Sequence, residues 1–344
     1  MPTYKSAGVD DKKAEALIEI IAKKTSRTSR SAKSSAIGYF GGFFPLATAK
    51  YRQPVLVASC DGVGTKLLIA HEMHSYENIG VDLVAMNCND VAVCGASPLF
   101  FLDYLAVGKL NLIREEKLIA GIIKGCETAE CLLIGGETAQ MPEIYKKEDF
   151  DLAGFCVGIV EKRKILGPQR VKKGDIIIGV ASNGLHSNGF SLVRKIFLST
   201  SRKRSLLYAY NPTLGRSLGE ELLRPTFIYT RLLKKLAQNN YLSASAHITG
   251  GGIPGNLSRA LPEDLQAVIK KSSWQVPRIF PLMQEIGKIA PREMFKVFNM
   301  GLGLILIAKP THESAILKEA KNQGYRAQVI GIVEPGPKKV TFKR

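Results

Sequence analysis

In the run Ser59-Cys60-Asp61-Gly62-Val63-Gly64-Thr65-Lys66, a carboxylate and an ammonium bracket two glycines within six residues. The apolar, β-branched run from Pro54 to Ala58 predicts a buried strand before it. The run from Leu67 to Met73 predicts a helix after it. A turn between the two lets Gly62 and Gly64 bring backbone close to a ligand. The helix start offers free N–H groups to an anion. A carboxylate for a hard cation beside a lysine for phosphate is the chemistry of a magnesium–nucleotide site. An ordinary turn with a solvated Asp and Lys uses the same residue types, so the rest of the chain must decide.

Two further carboxylates stand in similar settings. A largely apolar helix from Gly80 to Cys94 carries Asn87, Asn89 and Asp90 near its end, where buried polar groups need partners. A ligand role for Asp90 requires that it approach Asp61; a capping or surface role does not. The predicted helix from Leu112 to Glu130 leads to a strand, Cys131 to Ile134, and then to a glycine turn, Gly135-Gly136-Glu137-Thr138-Ala139. Asp61, Asp90 and Glu137 together could hold magnesium bridging phosphates. Between them, Asp103 alternates with Phe101 and Leu105 along a strand from Leu99 to Val107. A carboxylate on an apolar face is either paired or functional.

The second half repeats the glycine theme. Ser182-Asn183-Gly184-Leu185-His186-Ser187-Asn188-Gly189 follows the strand Asp175 to Val180, and His247-Ile248-Thr249-Gly250-Gly251-Gly252 follows a short strand. Backbone N–H groups in such turns form anion-binding concavities. The Asn and Thr side chains, with Asn256 just beyond, can bond a ribose or an amide. His186 and His247 suit either this chemistry or structural hydrogen bonding. Phe298 to Gly303 is a weaker glycine turn before the strand Leu304 to Ala308. There is no G-x-x-x-x-G-K-[ST] run and no kinase signature, which excludes those nucleotide folds.

The elements that must position these residues alternate between strand and helix patterns, so the fold class expected is mixed α and β (α+β). With 344 residues and 45% hydrophobic content, two domains are expected. Residues 12 to 23 predict an amphipathic helix, and the basic stretch Lys23 to Ser35 is expected to be mobile. The loop Gly38 to Leu46 reads as a turn or as a lid over an anion. The charged stretch Glu161 to Lys173 is the expected domain boundary. No segment reaches the roughly 18 apolar residues of a membrane span, and Met1 to Asp11 lacks a signal-peptide pattern. A soluble, cytoplasmic protein is expected. The cysteines at 60, 88, 94, 126, 131 and 156 form no C-x-x-C pair and read as small buried hydrophobes, not as zinc ligands or a disulfide framework. A net charge of +18 suits an anionic partner. It is diffuse, however, and no nucleic-acid module accompanies it. Neither a nucleic-acid nor a membrane partner is expected.

Taken in order, Tyr4 to Asp10, Asp61 to Lys66, Asn89-Asp90, Pro98 to Tyr104, Gly135 to Ala139, His186 to Gly189 and Thr249 to Gly252 closely resemble the aminoimidazole ribonucleotide synthetases, the phosphoribosylformylglycinamidine cyclo-ligases of purine biosynthesis. The resemblance runs from about residue 4 to about residue 335. It implies two mixed-sheet domains. Residues 1–166 would bind ATP and Mg2+ and pair with a second copy through their strands, giving a homodimer. Residues 167–344 would bind formylglycinamidine ribonucleotide. It implies ATP-dependent ring closure to aminoimidazole ribonucleotide through an iminophosphate. Asp61, Asp90 and Glu137 would hold the metal. Lys23, Lys24, Gly41, Gly42, Phe43, Gly62, Gly64, Thr65, Lys66, Asn89 and Gly136 would bind the nucleotide. His186, Ser187, Asn188, Gly189, Thr249, Gly250, Gly251, Gly252 and Asn256 would bind the substrate. His186, Lys66 and Asp61 would act in catalysis, His186 by polarising the substrate or moving a proton. Three departures stand out, the first being a net charge of +18, high for this family. Ala36-Ile37-Gly38-Tyr39 precedes Gly41 where relatives carry more glycine, and Gln140 stands where many carry Glu.

Overall fold

A computed structural model describes residues 8–25, 41–198 and 203–343. The N-terminal half opens with α1 (Asp11–Thr25) and continues through β1 (Pro54–Gly62), α2 (Lys66–Met73), α3 (Glu77–Val93), β2 (Ser97–Val107), α4 (Leu112–Ala129), β3 (Leu132–Gln140) and β4 (Phe150–Glu161). Its sheet has the order β1-β4-β2-β3, antiparallel except for the parallel β2–β3 pair. Two short 3-10 turns, Lys162–Lys164 and Pro168–Arg170, occupy the predicted boundary stretch.

The second half comprises β5 (Ile176–Ala181), α5 (Phe190–Phe197), α6 (Lys203–Tyr208), the hairpin β6 (Tyr210–Asn211) and β7 (Arg216–Ser217), α7 (Leu218–Leu222), α8 (Thr230–Gln238), β8 (Ala244–His247), α9 (Gly252–Leu257) and β9 (Leu265–Lys270). It ends with α10 (Ile279–Gly287), α11 (Pro291–Val297), β10 (Leu302–Ala308), α12 (Glu313–Asn322), β11 (Ala327–Pro335) and β12 (Val340–Lys343). Its sheet runs β12-β9-β11-β5-β10-β8, again mixed, with one parallel pair, β12–β9. Two mixed sheets with flanking helices match the fold class read from the sequence. The chain's hydrophobic pattern drives this. β5 and β10 are near-continuous apolar runs buried along their length, as strands covered on both faces must be. One apolar core links the halves, from Leu83, Val91 and Ile122 to Ile177, Leu257 and Ile305.

Two predicted turns are strands instead. β1 does not stop at Ala58; it runs on through Asp61 and Gly62, which pair with Gly154 and Ala153 of β4. β3 does not stop at Ile134; Gly135, Gly136 and Glu137 pair with Leu102, Asp103 and Tyr104 of β2. Glycine argues for a turn from local propensity, but the cross-strand partners here supply the ladder that outweighs it. The basic stretch expected to be mobile lies, from residue 26 on, outside the described residues, as does Tyr4-Lys5-Ser6-Ala7.

The faces of the N-terminal sheet differ. Val55, Val57 and Ser59 of β1 face the helices, whereas Leu56, Ala58 and Cys60 alternate outward. Phe155 of β4 and Tyr104 of β2 lie on the same open side, 42% and 38% exposed, beside Leu56 at 57%.

Candidate active site

Asp61 and Asp90 come together at the seam between the halves. Asp61 sits near the end of β1, where its carboxylate accepts from Gly62 N at 2.8 Å and its carbonyl accepts from Asn87 Nδ2 at 3.2 Å. Asp90, near the end of α3, accepts at Oδ1 from His247 Nδ1 at 2.8 Å. The other ring nitrogen of His247, Nε2, stands 3.3 Å from Asn89 Nδ2, a donor, and this fixes the tautomer. Asn89 in turn donates to Phe227 O and accepts from Tyr229 N, each at 2.8 Å. Burial pushes the Asp61 carboxyl above its ordinary value, the Gly62 N–H opposes this, the negative charge of Asp90 adds to it and His247 opposes it. A divalent cation beside both carboxylates would relieve that repulsion. The buried Asn87 Oδ1, without a partner among the described residues, is a further free acceptor close by. Among the described residues no three His, Cys, Asp or Glu side chains form a metal cage by themselves. Mg2+ commonly uses one or two carboxylates and completes its shell with water and phosphates, so the pair fits it.

Glu137 does not join them. It lies mid-strand in β3, opposite Tyr104, on the open face of the sheet and not on the Asp61 side. Its Oε1 accepts from its neighbour Thr138 N at 2.9 Å. The carboxylate that shares Asp61's row is Asp103, related to it through Gly154 of β4. Asp103 is buried against Gly136, where any Cβ would strike its carboxylate; that contact is why residue 136 is glycine. Burial first, with Glu137 adding to it, pushes the Asp103 carboxyl up to about 7. Between the unfolded value near 3.8 and about 7 the folded chain holds a proton that the unfolded chain has released, so stability falls as pH rises through that window. Asp103→Asn is therefore expected to flatten the decline in unfolding free energy between roughly pH 4 and pH 7. Urea unfolding at several pH values checks this, and an unchanged slope would count against it.

Lys66 differs most from expectation. It is fully buried, with Nζ 2.6 Å from Asp82 Oδ2 and donating to Arg224 O at 2.8 Å and His186 O at 3.1 Å. Its charge is used between the halves, so it does not face a phosphate. Burial pulls its pKa down and Asp82 opposes that. Asp82 Oδ1 accepts from Thr226 N at 2.7 Å and Thr226 Oγ1 at 2.6 Å, and that hydroxyl meets Ser187 Oγ at 3.1 Å. Ser187 is thus part of the same buried seam and is not open to substrate.

His186 is likewise enclosed. Its Nε2 accepts from Asn183 N at 3.0 Å and Phe227 N at 3.4 Å. Burial, and then the electrostatic influence of His247, Lys66 and Arg224, hold its pKa well below the ordinary histidine value. The ring is neutral, and the proton must sit on Nδ1, which is buried without a partner among the described residues. This corrects the expected proton-moving role: a neutral ring with Nε2 occupied can donate a hydrogen bond from Nδ1, but it is no base.

The remaining candidates divide in the same way. Gly189 caps α5 with φ +79° and lies against Phe298, so it shapes the turn. Asn188 is half-buried, with its Nδ2 buried and unpartnered among the described residues, and lies beside Gly250. Asn256, expected to touch substrate, commits Nδ2 to Thr249 O, Gly250 O and Gly252 O at 3.2, 3.1 and 2.8 Å. It builds the triple-glycine turn from within. Thr65, at the start of α2, meets Ser191 of α5 at 3.1 Å, which joins the Gly62–Gly64 turn to the 186–189 turn. Elsewhere, Gly42 packs on the backbone of Ile134, Phe43 is exposed, and Phe44 stacks on Phe100 at 5.3 Å, so this loop runs along β3 and β2. Lys24 pairs with Glu116 of α4 at 3.1 Å, and Lys23 is exposed beside it on α1. Gln140 accepts from Asp10 N at 3.0 Å and donates to Asp10 O at 3.4 Å. An ionised Glu could not make both bonds.

Three contributors escaped the sequence reading. Asp82 carried a signal, a lone carboxylate inside an apolar helix, which must be paired or functional. Arg224 and Thr226 lie in a segment with no pattern to mark them.

The chain matches two family models in tandem, the AIR synthase related protein N-terminal domain over residues 48–160 and the corresponding C-terminal domain over residues 172–343. A phosphoribosylformylglycinamidine cyclo-ligase from Thermodesulfovibrio yellowstonii is 48% identical over 342 residues, 99% of each chain. One from Syntrophus aciditrophicus is 46% identical, covering 96% of this chain and 95% of that one. Among solved structures, thiamine-monophosphate kinase from Stenotrophomonas maltophilia K279a superposes with a TM-score of 0.68 at 18% identity, covering 94% of this chain and 96% of the other. The hydrogenase maturation protein HypE of E. coli gives 0.64 at 16%, covering 97% and 93%. At those identities the structures share the fold alone. The near-half identity across the full length of named relatives goes further: the chain belongs to the phosphoribosylformylglycinamidine cyclo-ligase family.

Proposed function

We propose that this chain converts formylglycinamidine ribonucleotide and ATP into aminoimidazole ribonucleotide, ADP and phosphate, a step of purine biosynthesis. The observation that carries this is 48% identity to a cyclo-ligase over 99% of both chains. A same-fold HypE structure is described as a complex with ATP, which supports a nucleotide on this scaffold.

The chemistry suits the seam. An amide oxygen is a poor leaving group. Transfer of the γ-phosphoryl of ATP to the formyl oxygen makes an iminophosphate. The amidine nitrogen then closes the ring and phosphate departs. Such transfers need positioning and charge neutralisation more than covalent help from the protein. Asp61 and Asp90 would hold Mg2+, which would supply neutralisation of phosphate charge. His247 orients the Asp90 carboxylate from behind, as second partners of ligands do. The 62–65 turn and the 249–252 turn offer backbone N–H groups to anionic oxygens. His186 Nδ1–H and the Asn188 amide are the donors left to meet an uncharged oxygen of the substrate. Residues 1–166 serve the nucleotide and residues 167–344 the substrate.

The active form is a homodimer joined through the open N-terminal sheet face. Leu56, Tyr104 and Phe155 support this, since a sheet face of this character is expected to be covered. Glu137 and the Gly41–Phe43 loop lie on or along that side and would reach a nucleotide near the joint. Sedimentation at the mass of one 37.6 kDa chain would rule the dimer out. The enzyme works in the cytoplasm, where its substrate and ATP are found.

Turnover of formylglycinamidine ribonucleotide with MgATP tests the reaction, with ADP and the aminoimidazole product followed together. Equal amounts are expected. ADP without the aminoimidazole would assign the ATP chemistry to another acceptor.

A further inference from the structure

Cys88, Cys126, Cys131 and Cys156 converge from four different elements on one buried point in the N-terminal core. They come from α3, the last turn of α4, the link into β3, and β4. Cys88 Sγ lies 3.5 Å from Cys156 Sγ and 3.8 Å from Cys131 Sγ. Cys126 stands beside Cys131. All are free thiols. As small hydrophobes they needed only to be buried, and nothing in that role brings their sulfurs into mutual contact.

We propose that Cys131 and Cys88 form a peroxide-reactive dithiol that closes to a disulfide. Cys131 is the point of entry, as the most exposed of the four at 7%. The Cys131 thiolate is the nucleophile. Its sulfur attacks one oxygen of hydrogen peroxide. The O–O bond breaks, Cys131 becomes a sulfenic acid, and the departing hydroxide takes up a proton as water. Cys88 then loses its proton to the leaving hydroxyl and attacks the Cys131 sulfur. The S–S bond forms, the S–O bond breaks, and a second water leaves. In sum, two thiols are oxidised and one peroxide is reduced to two waters.

Closure has a consequence for the seam. A disulfide holds its sulfurs about 2.05 Å apart, so the two atoms must approach from 3.8 Å. Cys88 lies on α3 between Asn87, which bonds Asp61 O, and Asn89, which bonds His247. Oxidation pulls on the turn of helix that holds Asp90 in place.

The test uses the full-length chain carrying Cys60→Ser, which removes the exposed thiol. The folded protein is treated with graded hydrogen peroxide, then digested without reduction and mapped by mass spectrometry. A Cys88–Cys131 linked peptide is expected, with loss of two titratable thiols per chain, both restored by dithiothreitol. In Cys88→Ser the link is lost, and dimedone traps a sulfenic acid at Cys131. Dimedone trapping in the Cys60→Ser chain alone keeps the test decisive if Cys88→Ser fails to fold. The proposal is overturned if Cys131 stays reduced at peroxide doses that oxidise Cys60 in the unaltered chain. It is equally overturned if the link joins another pair, or forms only in urea.

Discussion

Replacing Lys66 with methionine is expected to lower the unfolding free energy by about 3–5 kcal/mol, the cost of leaving a buried charge without its partner. The size follows from the surroundings. Asp82 is fully buried, 2.6 Å from Lys66 Nζ, and cannot turn to water. Arg224 O and His186 O lose their donor in the same step. Methionine approximates the length of the lysine stem, so little packing is lost and the change reports chiefly on charge. Adding Asp82→Asn should return part of the loss, because the amide oxygen can still accept from Thr226. A coupling of about 1–3 kcal/mol between the two sites is expected. Denaturant unfolding of the four chains measures both quantities. A Lys66→Met chain within about 0.5 kcal/mol of the unaltered one would mean that water reaches Asp82 and the seam is not closed.

Asp61→Asn should separate function from stability. Turnover should fall by about 100-fold or more, since a charge placed to neutralise developing phosphate charge is lost. Stability should hold or rise. Burial and Asp90 keep the Asp61 carboxyl above its ordinary pKa of 3.8, so its ionisation works against the folded state. That penalty is absent at low pH and enters as pH rises from the unfolded value through the raised folded one. Asparagine removes it while its side-chain oxygen can still accept from Gly62 N. A melting point at or above the parent's, with turnover nearly gone, is the expected pair of results. Wild-type-like turnover would remove Asp61 from the mechanism, and a large fall in melting point would make it a structural residue.

Much of this was legible in the sequence because it depends on local pattern. Apolar runs located β5 and β10. Gly62 to Lys66, His186 to Gly189 and Thr249 to Gly252 stood out as glycine-rich segments flanked by groups able to bind anions. Burial was legible for most cysteines too, but Cys60 is exposed, because strict alternation along β1 turns it to the open face. The errors share one cause. Gly135-Gly136 read as a turn because glycine weakens a strand locally, and only the pairing with β2 kept it extended.

By itself the sequence determined the mixed-sheet class, most elements and the segments that carry the chemistry, since hydrophobic period, glycine and capping act over a few residues. What each polar side chain does was decided only by the tertiary structure. Asp61 and Asp90 meet because β1 and α3 pack side by side, and Glu137 misses them because one step along a pleated strand reverses the face. Lys66 donates to carbonyls 120 and 158 positions away in the chain, and His186 Nε2 is occupied by backbone donors 3 and 41 positions away. Desolvation and pairing set the charge and availability of a side chain, and both depend on neighbours that folding brings from the other half.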